Sequence, residues 1–174
     1  GIWNSLYDGI GSCNMAISLA NKAPFKTEAE RNVKVAEARF LRAIYYFNAV
    51  EQFGGVTMIT EPASSMNFAP TRTEPLTIYK EIIIPDLEFA VEWLDKGNDA
   101  TTTQPTKKAA LGMLAKVCLQ TKEYATDEYI PEALDAAKKL ITDCESGGST
   151  YGAYMYPTYE EVFAEKNNKE NKEA

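Results

Sequence analysis

The sequence predicts an all-α fold built of antiparallel helix pairs, with at most a minor strand near residues 56–60. Three observations carry that prediction. Apolar residues recur at spacings of three and four over long stretches, which draws single stripes on helices. Two capping boxes, Thr27-Glu28-Ala29-Glu30 and Thr158-Tyr159-Glu160-Glu161, mark helix starts. Small and large apolar residues also repeat at the same offsets in successive helical stretches, which is the sign of an internal repeat.

The first helix covers residues 2 to 21, with Ile2, Trp3, Leu6, Tyr7, Ile10, Cys13, Ile17 and Ala20 on its stripe and Ala23-Pro24 ending it. In the first capping box the Thr27 hydroxyl accepts from the Glu30 amide, and the Glu30 carboxylate reaches back. The helix it starts runs from about 28 to 53. Val33, Ala36, Phe40, Ala43, Ile44, Phe47 and Val50 share one broad face, flanked by Leu41, Tyr45 and Phe53. A helix apolar over so much of its circumference packs on several sides. Gly54 is expected to end it in a left-handed cap.

Val56 to Thr60 reads as extended, and 61 to 74 as a loop with Pro62 and Pro70. Pro75 suits the first turn of a third helix reaching about Leu94. Pro85 should kink or divide that helix, because it has no amide hydrogen to donate. Lys96-Gly97-Asn98-Asp99 is a turn, and Thr101 to Gln104 a polar connector. The fourth helix starts near Pro105 or Thr106 and ends near Lys122, and the fifth runs from Pro131 to Cys144. A loop opening at Gly147-Gly148 carries Tyr151, Tyr154 and Tyr156. The second capping box begins a short helix ending near Phe163. Residues 165–173 hold no large apolar side chain, so the chain divides into a helical scaffold domain, 1–164, and a polar tail, 165–174, expected to be mobile.

The repeat offsets define the architecture. Leu111, Leu114, Ala115 and Cys118 stand at offsets zero, three, four and seven, the pattern of a first tetratricopeptide helix. Ala133, Ala137 and Leu140 match a second helix. Ala36, Phe40 and Ala43 repeat that spacing, and Trp3, Leu6, Tyr7 and Ile10 match a first helix with Tyr7 in the small-residue place. The loops are too long for a regular array. The fold is therefore a set of degenerate tetratricopeptide-like pairs forming an α–α superhelix.

Composition removes several functions. The 174 residues, 45% hydrophobic and 25% charged, suit one globular domain. A net charge of -7 offers no footprint for a phosphate backbone, so no nucleic-acid partner is expected. The absence of histidine removes the commonest general base and metal ligand. Cys13, Cys118 and Cys144 have neither disulfide-framework nor zinc spacing, and no metal or cofactor is expected. No run of 18 apolar residues exists to span a membrane.

No catalytic residue emerges. Trp3 and Tyr7 suit a sugar-stacking platform, but a helix-facing pair is the simpler reading. Tyr45-Tyr46-Phe47 reads as core with tyrosine tips wetted. Arg39 and Arg42 are expected to pair with Glu37 or helix-end carbonyls. Glu160 and Glu161 suit a helix start better than an acid–base pair. Gly54-Gly55 lies between helix and strand, the reverse of a phosphate loop. Tyr151, Tyr154 and Tyr156 are the candidates for an exposed ligand-contact surface.

These residues resemble the SusD/RagB family. Ala36-Glu37-Ala38-Arg39-Phe40-Leu41-Arg42-Ala43, Tyr45-Tyr46-Phe47 and Phe53-Gly54-Gly55-Val56 look like its hallmark helix. Trp3 to Ile10 with Asn14 resembles the helix before it. Arg72, Tyr79, Ile82, Asp86-Leu87 and Ala90 resemble the next segment, Thr106 to Leu111 with Leu114 to Val117 and Leu119 the one after, and Tyr159 to Phe163 the closing motif. The resemblance implies a lipid-anchored, non-enzymatic protein of the Bacteroidetes outer membrane. Such a protein captures glycans at the cell surface as the lid of a SusC-like TonB-dependent transporter. It assigns this chain to the scaffold that packs on the transporter. The lipidated cysteine and the second half of the family fold lie outside it. No family sugar-binding residue maps onto a position here. The reading that competes is a stand-alone tetratricopeptide-like adaptor holding a protein segment in its groove.

Overall fold

The computed structural model describes residues 1–62, 70–97, 103–124 and 126–162. Helix α1 (Ile2–Lys22) runs antiparallel to α2 (Glu28–Phe53), as three cross-contacts show. Trp3 meets Phe53 with ring centroids 5.0 Å apart, Gly9 lies under the Tyr45 ring, and Asn14 meets Arg42. A Cβ on Gly9 would stand 2.5 Å from the Tyr45 ring, so the bare backbone there sets how closely the helices approach. Thr27 accepts from the Glu30 amide at 3.1 Å. The Glu30 carboxylate reaches one residue beyond the expected box, to the Lys26 amide at 3.2 Å.

Gly54 ends α2 with φ +70° and ψ -131°, a glycine conformation but not the left-handed helical one expected. Strand β1 (Val56–Thr57) pairs antiparallel with β2 (Arg72–Thr73), Val56 opposite Thr73 and Thr57 opposite Arg72. The partner strand falls where the sequence reads as loop. Two residues carry no periodicity from which to see it. Gly55 permits the pairing, because a Cβ there would lie 2.6 Å from the Thr73 carbonyl oxygen.

The third helix is not broken at Pro85. Helix α3 (Pro75–Ile78) continues through a π-helical turn, Tyr79–Ile83, into α4 (Ile84–Trp93). The Ile84 amide donates to the Tyr79 carbonyl, five residues back. The wider turn absorbs the proline in place of a break. The path runs antiparallel to α2: the Tyr79 hydroxyl bonds Glu51 at 3.2 Å, and Arg39 lies over Phe89.

Helix α5 (Lys107–Gln120) is capped by Thr106, whose hydroxyl accepts from Ala109, and runs into a 3-10 turn, Thr121–Tyr124. It packs against α4 and, antiparallel, against α6 (Ile130–Glu145), whose first turn holds Pro131. Helix α7 (Tyr159–Val162) closes the described chain. The core joins α1, α2, the π turn, α4, α5 and α6, with Tyr46, Tyr79, Ile10, Leu87 and Leu111 fully buried. The fold is all-α apart from the two-stranded pair, as the stripes predict. Leu41 and Phe53 are exposed and Val33 is half-buried, while Val35, Ala38, Tyr46 and Ala49 are buried, so the buried face of α2 is turned from the one its sequence suggests. Among the described residues no helix is long and apolar enough to cross a membrane. Phe163, the 165–174 tail and parts of the 61–74 and 96–104 connections lie outside the described residues.

Candidate functional site

Among the described residues, three groups of side chains have the chemistry to be a site. The first is buried. Arg42 donates from Nε to Asp86 Oδ2 at 2.7 Å and from Nη2 to Asp86 Oδ1 at 2.8 Å, a bidentate pair joining α2 to α4. Its Nη1 donates to Asn14 Oδ1 at 2.8 Å, and Asn14 Nδ2 donates to the Ile59 carbonyl at 3.0 Å. The Tyr46 hydroxyl donates to the same carbonyl at 2.8 Å and accepts from the Ile59 amide at 2.7 Å. Burial pushes the Asp86 carboxyl above the usual carboxylate range, opposed by Arg42 and then Arg39. Here the structure corrects the sequence reading. Arg42 and Arg39 turn to Asp86 and Phe89, while Glu37 pairs with Lys34 at 2.8 Å. Every group of the Asn14–Arg42–Asp86 chain is spent on another. Its role is to fix the helices and the 58–61 segment.

The second is the tyrosine loop. Asp143, at the end of α6, accepts from the amides of Thr150 at 2.7 Å and of Tyr151 and Ala153 at 2.9 Å. Burial alone would raise this carboxyl, but those amides outweigh it and hold it below the usual range. Gly147, Gly148 and Gly152 take positive φ to let the chain wrap around it. The three tyrosines do not converge. Tyr151 packs half-buried against the core, whereas Tyr154 meets Tyr156 edge to face with centroids 5.1 Å apart. An apolar groove of about 300 Å³ opens beside Tyr154 and Met155, between the start of α5 and the end of α6.

The third lies at the other end. Trp3 rests on Tyr7 at 4.7 Å and edge-on against Phe53, yet stays 41% exposed. Tyr7 is fixed in turn by its hydroxyl, which donates to the Thr57 carbonyl at 2.7 Å. Trp3 and Phe53, with Gly55, Val56, Thr57 and Arg72, bound an open cleft of about 330 Å³. The helix-facing reading of Trp3 is thus half right, since the ring is held from one side and open on the other. Arg72 is the residue that sequence patterning passes over, because it sits in a two-residue strand.

The remaining candidates are structural. Tyr46 and Phe47 are buried, and only Tyr45 keeps a wetted position. Glu160 and Glu161 stand in the first turn of α7, where Thr158 accepts from the Glu161 amide at 3.4 Å. Cys13 and Cys118 are buried, and burial pushes the Cys118 thiol up to about 12. Among the described residues no group of three histidine, cysteine or acidic side chains could hold a metal ion.

Among the described residues the helical scaffold bears two surface clefts with aromatic side chains in their lining. Residues 1–119 match the SusD-like family model described as "Starch-binding associating with outer membrane". A SusD-like protein of Bacteroides ovatus is 30% identical, with 97% of this chain and 30% of that relative covered. The crystal structure of a SusD superfamily protein from Parabacteroides distasonis is 30% identical and superposes with a TM-score of 0.76, covering 82% of this chain and 31% of that one. A laminarin-binding SusD-like protein is 27% identical, with a TM-score of 0.75 over 95% of this chain and 34% of its own. The chain belongs to the SusD-like family. It spans about a third of the length of these relatives.

Proposed function

We propose that this chain is the helical scaffold part of a protein that captures oligosaccharides or polysaccharides at the bacterial cell surface. In that reading the whole protein is an outer-membrane lipoprotein, the lid of a SusC-like TonB-dependent transporter, and it binds glycan without cleaving it. The observation that carries the reading is the likeness, through nearly the whole chain, to a laminarin-binding protein of the same family. The site chemistry agrees: histidine is absent, and the polar groups of the Asn14–Arg42–Asp86 chain are consumed in packing. Tyr154 and Tyr156 are the contact residues proposed at the α6 end.

Calorimetry of the full-length protein against a panel of glucans and other neutral glycans tests the reading, with chromatography of the same mixtures for products. Binding without new products is expected. Cleavage, or silence across the panel, would overturn it. Co-purification with a TonB-dependent transporter from outer membranes tests the partner.

A further inference from the structure

We infer that the cleft between Trp3 and Arg72 is a secondary contact site for a neutral hexopyranose ring. The inference rests on the glycan-binding reading and gives it a place on the scaffold. Trp3 is braced by Tyr7, whose hydroxyl is tied to Thr57, and meets edge-on the Phe53 ring that also lines the cleft. A ring held in this way loses little freedom when a ligand settles on it. Its open side offers the flat apolar surface that the C–H face of a pyranose stacks on.

Across the cleft stands Arg72. Strand pairing with Thr57 fixes its backbone, and its Nη2 donates to the Phe53 carbonyl at 3.3 Å. Among the described residues it makes no ion pair, so a fork of N–H donors remains for adjacent ring hydroxyls. Gly55 forms the floor. A Cβ at that position would stand 2.9 Å from Arg72 Nε and would force the guanidinium off its seat. The volume of about 330 Å³ falls at the low end of small-ligand sites, roughly 300 to 1,000 Å³. A neutral ring needs only the aromatic face and the donors, both of which the cleft lining supplies.

The chain has two tryptophans, so two indole N–H signals report on it in a ¹⁵N-labelled sample. Trp93, packed beside Phe89 on α4, is the internal reference. Titration with malto- and laminari-oligosaccharides should move Trp3, Gly55 and Thr57 with a dissociation constant of order 1 mM and leave Trp93 in place. Trp3→Ala should abolish the shifts at Gly55 and Thr57. Arg72→Gln, with its fold checked by circular dichroism, should weaken binding about tenfold, the effect of losing a charged donor. No shift around the cleft, a stronger response to a uronate oligosaccharide than to either neutral sugar, or an unaltered Arg72→Gln variant would overturn the inference. The full-length protein separates the two readings. If it binds the glycan panel with the same affinity after Trp3→Ala, the cleft inference fails alone. If it binds no glycan at all, both fail.

Discussion

Asp86 and Asp143 are both nearly buried, 2% and 3% exposed, and the protein surrounds them in opposite ways. Asp86 faces a guanidinium from a helix 44 residues away in sequence, and burial dominates its environment. Asp143 faces three backbone amides within 10 residues, and hydrogen bonding dominates. The first carboxylate ties helices together and the second ties down a loop. A contact between distant segments forms only when the whole core has formed, so its loss is felt globally. A local contact opens by itself, so its loss is felt where it sits.

The largest effect should come from breaking the Arg42–Asp86 pair from one side. Arg42→Met strips the buried Asp86 carboxylate of its bidentate partner and leaves Arg39, 3.7 Å away, as its cation, and such a loss costs about 3 to 5 kcal/mol. Urea unfolding measures it. Arg42→Met with Asp86→Leu should recover most of the loss, because the cost lies in the unpaired charge rather than in the missing attraction. A double variant as unstable as the single one would show that the pair itself stabilises the fold.

Tyr46→Phe should come next, at about 1 to 3 kcal/mol, since it strips both backbone groups of Ile59 of one partner. The same unfolding measurement checks it. A cost under about 0.5 kcal/mol, the size of an ordinary surface change, would mean that water takes the place of the hydroxyl.

These two groups also mark what the sequence reveals. The helices, their threonine N-caps and the hallmark segment are legible because periodicity and capping are local. The Asp86 pairing is half legible: a lone carboxylate on the buried stripe of Ile82, Ile83, Leu87 and Ala90 demands a buried partner, but the stripe does not name Arg42. Arg42 itself looks like a solvated arginine beside Glu37. The π turn is hidden, because Pro85 announces an irregularity without saying whether the chain breaks or widens. The Trp3 cleft is hidden for a third reason. Its walls come from the start of α1, the end of α2 and both two-residue strands, which only the tertiary fold brings together.

At the other end, Asp143→Asn should cost about 1 kcal/mol or less globally while freeing the tyrosine loop. The amide replaces one accepting oxygen with a donor that faces backbone donors. Hydrogen exchange should therefore speed up at Thr150, Tyr151 and Ala153 and stay unaltered along α2. Protection lost along α2 as well would erase the distinction between the two carboxylates.

Acid sharpens that distinction, because the two groups have opposite signs. The folded Asp143 carboxyl lies below its unfolded value of about 3.9. The unfolded state takes the proton first, so the stability that Asp143 contributes is complete above that value and is lost as pH falls through the folded one. Asp86 lies above the usual range, so the folded state takes the proton first and this group does not drive acid unfolding. On acidification the amide signals of Thr150, Tyr151 and Ala153 should leave their bonded positions only below about pH 4, while the signals of α2 hold. Asp143→Asn should remove that transition altogether. A loop transition near neutral pH, or one that survives the substitution, would show that some group other than Asp143 holds the loop.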